Sequence, residues 1–177
     1  LRNIKQLGSC CFVFHGANHT RFEHSIGVYH LTGNVIDHLI RNQPELKITE
    51  REKQIVKIAG LCHDMGHGPF SHAFDDLFLK RTRPDSIYLH HEARSILLLE
   101  YINKKYDIGI TEIEMKFISH ILQPNIYEIP EEYKDKSYLA KIVSGDVDTD
   151  KFDYISRDIY YTGLQMGSDM GRLLQQC

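Results

Sequence analysis

Apolar residues recur at helical spacing along nearly all of this chain, and this pattern predicts an all-α fold. From Arg21 to about Ile40 they return every three or four residues, which places them on one face of a helix. Two Thr-x-x-Glu capping boxes, beginning at Thr49 and Thr111, predict further helix starts, because hydroxyl and carboxylate satisfy free backbone N–H groups. We expect the helix after Thr49 to stop at Gly66.

The remaining segments extend the helical prediction. We expect helices over 71–79, 89–106, 111 toward 122, 137–144 and 151 to about 164. Residues 125–136 are expected to be irregular, with a proline before them, another inside them and many charges. Strand character appears only at 11–14. We expect residues 1–177 to form one helical domain, and because the chain begins at Leu1 inside what reads as a structured segment, we expect it to be part of a longer protein.

Composition excludes some classes of function. The chain has 177 residues, 42% of them hydrophobic and 25% charged, which is typical of a globular domain. Its net charge of -3 gives no basic field for nucleic acid or anionic membranes, which argues against nucleic-acid binding but leaves it open. No apolar run reaches the roughly 18 residues of a membrane span. The four cysteines show no framework spacing, which favours reduced thiols in a cytoplasmic or nuclear protein.

Histidines are concentrated in the first part of the chain, and the densest group lies in 61–72, Leu-Cys-His-Asp-Met-Gly-His-Gly-Pro-Phe-Ser-His. His63 and Asp64 stand where a helical pattern ends. Neighbouring residues of a helix point about 100° apart, so both side chains can reach one ion near the helix end. A catalytic divalent ion needs more ligands than these two, together with open positions for water and substrate. The pair therefore requires partners from elsewhere in the chain.

Two other segments offer such partners. Arg21 and His24 have i,i+3 spacing, which places them on one helical face. An arginine one turn from a candidate metal ligand suggests phosphate oxygens shared between a guanidinium and a cation. The segment 150–158 repeats carboxylate, phenol and carboxylate at i,i+4 spacing beside Lys151. This stripe is typical of the wall of a polar pocket.

Taken together, the motifs resemble those of the SAM-and-HD-domain deoxynucleoside triphosphate triphosphohydrolases, which are HD metal-dependent phosphohydrolases. The matching segments are 4–8, 21–25, 61–72, 91–92 and 150–154, in the family's order and over nearly the whole chain. The resemblance implies an HD-domain helical bundle. It also implies metal-dependent hydrolysis of a deoxynucleoside triphosphate to the deoxynucleoside and inorganic triphosphate.

The resemblance further implies a role for each matching residue. The implied metal ligands are His24, His63, Asp64 and Asp150. The implied catalytic residues around the scissile phosphate are His67, His72, Asp75 and His91. The implied phosphate contacts are Arg21, Lys151 and Tyr154, and the implied sugar or base contacts are Gln6, Leu7 and Asp158.

The implied cofactor is one divalent transition metal, Fe, Mn or Zn, with Mg as an optional second ion, and a His₂Asp₂ donor set has only modest preference among them. Two alternative functions stay open: an HD-type nucleotidase or phosphodiesterase for another nucleotide, and an inactive module that binds nucleotide or nucleic acid. A homo-oligomer of the full-length protein is also open. The other histidines are interpreted as surface or hydrogen-bonded residues, and they are His15, His19, His30, His38, His90 and His120.

Overall fold

The computed structural model describes residues 1–165, and within that range the chain is helical. Its α-helices are α1 (Arg21–Asn42), α2 (Glu50–Cys62), α3 (Lys80–Thr82), α4 (His91–Tyr106), α5 (Glu112–Leu122), α6 (Tyr138–Lys141) and α7 (Thr149–Thr162). Three 3-10 helices cover Gly8–Phe12, Pro44–Leu46 and Glu131–Lys136, and a π-helix covers Phe74–Leu79. Residues 1–165 contain no strand beyond an isolated bridge between Lys5 and Thr20, so the all-α prediction is confirmed.

Capping side chains fix where α1 and α7 begin, and the first turns of both helices carry predicted site residues. Thr20 and Glu23 form a capping box at the start of α1, in which the backbone N–H of Thr20 donates to Glu23 Oε2 at 2.6 Å. Asp148 caps α7 by accepting from the backbone N–H of Lys151 at 2.8 Å. This cap places Asp150 in the first turn of α7. The capping boxes predicted at 49 and 111 are confirmed.

The core lies between α2 and α5, and α1 packs against both α2 and α7. Among its fully buried side chains are Ile36, Ile55, Val56, Ala59, Phe117, Ile118, Ile121 and Leu139. Burying one such large side chain contributes about 1.5–3 kcal/mol to folding. Because α1 contacts both neighbours, side chains from α1, α7 and the C-terminal end of α2 can meet at one place. None of the described helices combines the length and apolar character that a membrane crossing requires.

The strand character assigned to 11–14 is wrong. This segment overlaps the 3-10 helix Gly8–Phe12, and Phe12 and Val13 are 83% and 75% exposed. An apolar run becomes a strand only where another strand pairs with it, and none does so within residues 1–165.

Several predicted boundaries also differ. The helix after Thr49 ends at Cys62 rather than Gly66. Helical structure in 71–79 begins at His72, one residue later than expected, because Phe70 and Ser71 have φ of 63° and 55°, which no right-handed helix contains, and it continues as the π-helix from Phe74. Part of the expected irregular stretch 125–136 is the 3-10 helix Glu131–Lys136. The helix expected over 137–144 is only the short α6.

A bidentate ion pair between Arg51 and Glu114 joins α2 to α5, with N–O distances of 2.6 and 2.7 Å. These hydrogen bonds lower the pKa of Glu114 from 4.5 to about 2, against the opposing effect of burial. A carboxylate with a lowered pKa stabilises the folded state above its unfolded pKa, and this contribution is lost as the pH falls through the folded pKa.

We expect Glu114→Gln to lower the free energy of unfolding at pH 7 by about 1–2 kcal/mol, because Arg51 remains partly exposed to water. Urea unfolding at several pH values should show the difference from wild type shrinking between pH 4.5 and about 2. The control, Glu112→Gln, removes an exposed i,i+4 pair with Lys116 and should change stability little. A Glu114→Gln effect independent of pH would contradict the electrostatic account.

Candidate metal centre and catalytic cavity

Four side chains meet where α1, α7 and the C-terminal end of α2 come together. His24 Nε2 lies 3.0 Å from Asp150 Oδ1 and 3.2 Å from His63 Nε2. His63 Nε2 lies 3.3 Å from both Asp150 Oδ1 and Asp64 Oδ1, and His24 Nε2 lies 3.5 Å from Asp64 Oδ2. The structure therefore brings together the four residues predicted as metal ligands.

These distances suit ligands of a single ion. Donor atoms that each lie about 2.1 Å from an ion are about 3.0 Å apart at right angles and about 3.4 Å apart at tetrahedral angles. The separations among His24, His63 and Asp150, 3.0 to 3.3 Å, lie in this range, and Asp64 approaches the two histidines through its two different oxygens, at 3.3 and 3.5 Å. Two imidazole nitrogens and two carboxylates form a donor set that binds divalent transition metals. The residues present thus fit the metal that the sequence motifs imply.

Outer hydrogen bonds orient both imidazoles. His24 Nδ1 donates to Asp153 Oδ2 at 2.8 Å, and His63 Nδ1 donates to the carbonyl oxygen of Gly60 at 2.7 Å. With the proton on Nδ1, each Nε2 presents its lone pair to the cluster. Two lone pairs 3.2 Å apart repel each other unless positive charge lies between them. This arrangement is typical of histidines that bind a metal.

Electrostatics favour positive charge at the same place. Burial acts to lower the pKa of His63, but the charges of Asp64 and Asp150 outweigh it and raise that pKa to about 9. Burial acts to raise the pKa of Asp150, but hydrogen bonds from His24 and His63 hold it below its usual value. Burial likewise acts to raise the pKa of Asp64, but neighbouring His63 and a hydrogen bond from His67 hold it well below its usual value. Both carboxylates are therefore ionised at neutral pH, as metal ligands must be.

Two basic side chains flank this centre. Arg21 is buried at the start of α1, where its guanidinium pairs with Asp64 Oδ2 and its Nε donates to Ser71 Oγ at 3.0 Å. Lys151 Nζ donates to Asp148 Oδ2 at 2.8 Å and to the carbonyl oxygen of Gly145 at 2.9 Å. Both are thus held at the rim of the centre by fixed partners, where they can offset charge on an anionic ligand.

A second group of side chains, the three-histidine cluster, consists of the three predicted catalytic histidines, His67, His72 and His91. The His67 and His91 rings stack with centroids 3.7 Å apart, and His72 lies edge-on to both. Burial and neighbouring His67 lower the pKa of His91 to about 4, and burial lowers the pKa of His67. These two imidazoles are therefore neutral at pH 7, whereas His72 is exposed and can exchange protons with solvent.

Asp75, the fourth predicted catalytic residue, lies behind this cluster rather than on the cavity wall. Its Oδ2 accepts from the backbone N–H and from Nδ1 of His91, at 3.0 and 3.3 Å, and its Oδ1 pairs with Arg94. Arg94 Nε also donates to the carbonyl oxygen of Gly66 at 2.8 Å. The structure thus gives Asp75 contacts that orient His91.

One cavity of about 830 Å³ joins the two clusters, a size suited to a small-molecule ligand. All the predicted site residues except Asp75 line it. Gln6 and Leu7 lie in the N-terminal segment, and Tyr154 and Asp158 follow Asp150 along α7. The i,i+4 stripe of α7 therefore forms one wall of the cavity, as the spacing predicts.

Sequence reasoning did not single out several residues that support this site. Asp153 holds His24, and Gly27 makes room for it, because a Cβ at position 27 would lie 1.8 Å from Asp153 Oδ1. Glu92 lines the cavity without having been predicted. Asp158 pairs with His19, whose Nε2 lies 2.6 Å from Asp158 Oδ1. Asp153 also accepts hydrogen bonds from Arg157 one turn later in α7, and this i,i+4 spacing is the local signal that could have marked Asp153.

Comparison with known proteins identifies the architecture. The sequence pattern of the HD domain matches residues 21–158, from the first residue of α1 to near the end of α7. Every residue of the four-side-chain centre lies inside this match.

Three relatives are similar to nearly the entire chain, and each alignment covers 99% of the 177 residues. "Deoxynucleoside triphosphate triphosphohydrolase SAMHD1 homolog" of Dictyostelium discoideum is 46% identical, with 34% of its own length covered. "Deoxynucleoside triphosphate triphosphohydrolase SAMHD1" of Mus musculus is 42% identical over 29% of its length, and that of Homo sapiens is 39% identical over 31%. The chain thus spans about a third of the length of these relatives.

Proposed function

This chain belongs to the HD domain family, and on that premise we propose that it hydrolyses deoxynucleoside triphosphates to deoxynucleoside and inorganic triphosphate. The observation that carries the proposal is the convergence of His24, His63, Asp64 and Asp150 in one cavity with two basic side chains. The names of these relatives, deoxynucleoside triphosphate triphosphohydrolases, support this choice of substrate and reaction.

His24, His63, Asp64 and Asp150 would hold the metal in this proposal. When bound, a divalent cation supplies Lewis acidity, which acidifies water and offsets charge on phosphate oxygens. The identity of the ion stays open among Fe, Mn and Zn, because this donor set has no strong preference. A second ion, Mg, prefers oxygen ligands, so we expect it to depend on oxygens of the substrate rather than on the three-histidine cluster.

The chain's own residues would bind and orient the triphosphate. Arg21 and Lys151 would offset charge on the phosphate oxygens, since both face the cavity beside the metal centre. Tyr154 stands on the same wall, edge-on to His24. Gln6, Leu7 and Asp158 would contact the sugar or the base, at a part of the cavity contributed by the N-terminal segment and α7.

Proton transfer to the leaving 5′ oxygen is proposed for the three-histidine cluster. His72 is its exposed member and can recover a proton from water after each turnover. His67 and His91, buried and neutral at pH 7, would donate or accept hydrogen bonds at the scissile phosphate. Asp75 would act by holding His91, since it contacts that ring and lies off the cavity wall.

We also propose a domain organisation, a cellular location and an oligomeric state for the protein. We propose one domain over residues 1–177, which the contact of His19 with Asp158 supports by tying the N-terminal segment to α7. We propose a cytoplasmic or nuclear location, which the free thiols of Cys10, Cys11 and Cys62 support, while Cys177 lies outside the described residues. A homo-oligomer is a further proposal, supported by the exposed apolar side chains of Phe12 and Val13.

The test is to incubate the purified protein with dGTP and Mn²⁺ and to identify both products. We expect deoxyguanosine and intact triphosphate in equal amounts, because only the bond between the 5′ oxygen and the α-phosphorus is hydrolysed. Release of dGMP or of single phosphate groups would contradict the reaction. A parallel panel of dGMP and cyclic GMP should show little turnover, and turnover of these instead would favour the nucleotidase or phosphodiesterase alternative.

A further inference from the structure

Arg94 lies in the first turn of α4 and joins three segments of the chain that meet behind the three-histidine cluster. Its Nη1 donates to the carbonyl oxygens of Tyr88 and Leu89, both at 2.7 Å. Its Nε donates to the carbonyl oxygen of Gly66 at 2.8 Å, and its Nη2 pairs with Asp75 Oδ1. These contacts use four of its five N–H donors. Arg94 does not line the cavity, so its hydrogen bonds are directed to the protein rather than to a ligand.

The acceptors of this guanidinium are close to all three histidines of the cluster. Gly66 directly precedes His67 in the sequence. Asp75 follows His72 by three residues, and its Oδ2 accepts from Nδ1 of His91 at 3.3 Å. All three imidazoles line the cavity. One guanidinium outside the cavity therefore holds the backbone and the carboxylate that support three imidazoles inside it.

The segment between His72 and His91 has few other anchors. Its two ends lie close together, with the imidazole centroids of these histidines 5.4 Å apart. None of residues 76–90 is buried, and Leu77 and Ile87 are 60% and 79% exposed. Segments with few buried contacts open at low free energy. The hydrogen bonds at the base of this segment therefore determine how closely its two ends are held.

We propose that Arg94 is a positioning residue that holds the two ends of the segment 72–91 together, so that the three-histidine cluster keeps its geometry at the scissile phosphate. This inference rests on the proposed function, because proton transfer to the leaving 5′ oxygen is assigned to that cluster. A planar guanidinium can donate in several directions at once, whereas an ammonium group is a single point of charge. Displacing a catalytic group by about 1 Å can lower a rate by about 100-fold. Arg94 thus affects the rate of the chemical step and not the affinity for nucleotide.

The first test separates rate from affinity. Arg94→Met keeps an unbranched side chain but removes every N–H donor. We expect it to lower kcat for dGTP by about 10- to 100-fold, with KM and the calorimetric Kd changed by less than about threefold. The matched control is Arg83→Met, which changes an exposed arginine within the same segment and should leave all three quantities within about twofold of wild type.

Hydrogen exchange, measured by mass spectrometry, tests the hold on the segment without any turnover. In Arg94→Met, peptides from 72–91 should exchange at least about tenfold faster than in wild type, because the two ends of the segment separate more often. Peptides from α5 should exchange at the wild-type rate. Arg83→Met should match wild type in both regions.

Arg94→Lys keeps the inference testable if Arg94→Met does not fold. It retains a cation beside Asp75, whose side chain is 4% exposed, so no buried carboxylate is left unpaired. An ammonium group does not span the carbonyl oxygens of Gly66 and Leu89 together with that carboxylate, so kcat should still fall by at least about fivefold. Wild-type kcat and wild-type exchange in Arg94→Lys would overturn the inference.

Each remaining outcome has one meaning. Equal losses of kcat and of dGTP affinity in folded Arg94→Met would assign Arg94 to ligand binding, which overturns the inference and leaves the proposed function intact. Unchanged exchange in 72–91 would overturn the inference whatever the activity. If wild type turns over dGMP or cyclic GMP instead of dGTP, the proposed function fails. A lower kcat of Arg94→Met for that substrate, at unchanged Kd and with faster exchange, would then still support the inference.

Discussion

Asp150→Ala should lower kcat/KM for dGTP by at least about a thousandfold, the larger of the two main effects expected. Asp150 Oδ1 lies 3.0 Å from His24 Nε2 and 3.3 Å from His63 Nε2. Its removal takes away an anionic ligand and leaves two imidazole lone pairs facing each other, so the site loses affinity for a divalent ion and the chemistry that the ion supplies. Steady-state kinetics with saturating Mn²⁺ measures the effect.

The matched control is Asp146→Ala, which changes the same residue type four positions earlier, at an exposed site outside the cavity wall. It should leave kcat/KM within about twofold, as surface substitutions away from a site usually do. If Asp150→Ala left both turnover and nucleotide affinity unchanged, the assignment of the metal centre would be wrong. An inactive binding module would then explain the cavity better.

The second large effect is expected for Arg21→Ala. Arg21 is 5% exposed and pairs with the buried Asp64, so its removal leaves a buried carboxylate without its cationic partner. Breaking such a pair costs about 3 kcal/mol or more of stability. In addition, loss of a guanidinium from a phosphate site should lower kcat/KM by a factor of about 100 or more. Chemical unfolding and kinetics measure the two effects separately.

Arg21→Lys keeps the positive charge but loses the planar fork that contacts Asp64 and Ser71, so it should recover stability better than turnover. The control is Arg41→Ala in the last turn of α1, where the side chain is exposed and donates to the carbonyl oxygen of Asp37. It should change neither quantity appreciably. Full activity in Arg21→Ala would contradict a role for Arg21 in binding phosphate.

Local sequence patterns were sufficient for the fold class and for the wall of the cavity that α7 forms. Capping boxes and helical spacing depend on residues within one or two turns, so they are readable in one sequence. The i,i+4 repeat of Asp150, Tyr154 and Asp158 is also local and therefore readable in one sequence, and all three residues line the cavity. The family resemblance added the grouping of distant motifs, which spacing alone does not supply.

Contacts that support the site depend on pairs far apart in sequence. His24 and Asp153 are 129 positions apart, and His19 and Asp158 are 139 apart. A lone histidine carries no local signal of such a partner, which is why His19 was interpreted as an ordinary hydrogen-bonded residue. The positive φ of Phe70 and Ser71 was equally unreadable, because residues other than glycine seldom adopt it and the surrounding fold imposes it.

The central claim is that His24, His63, Asp64 and Asp150 form one metal site, and the number of ions bound per chain tests it most directly. Wild type and His63→Ala would each be dialysed against Mn²⁺, and bound metal would be measured by elemental analysis. We expect wild type to bind one more ion per chain than His63→Ala at Mn²⁺ concentrations that saturate wild type. Equal metal content in the two folded proteins would contradict the claim.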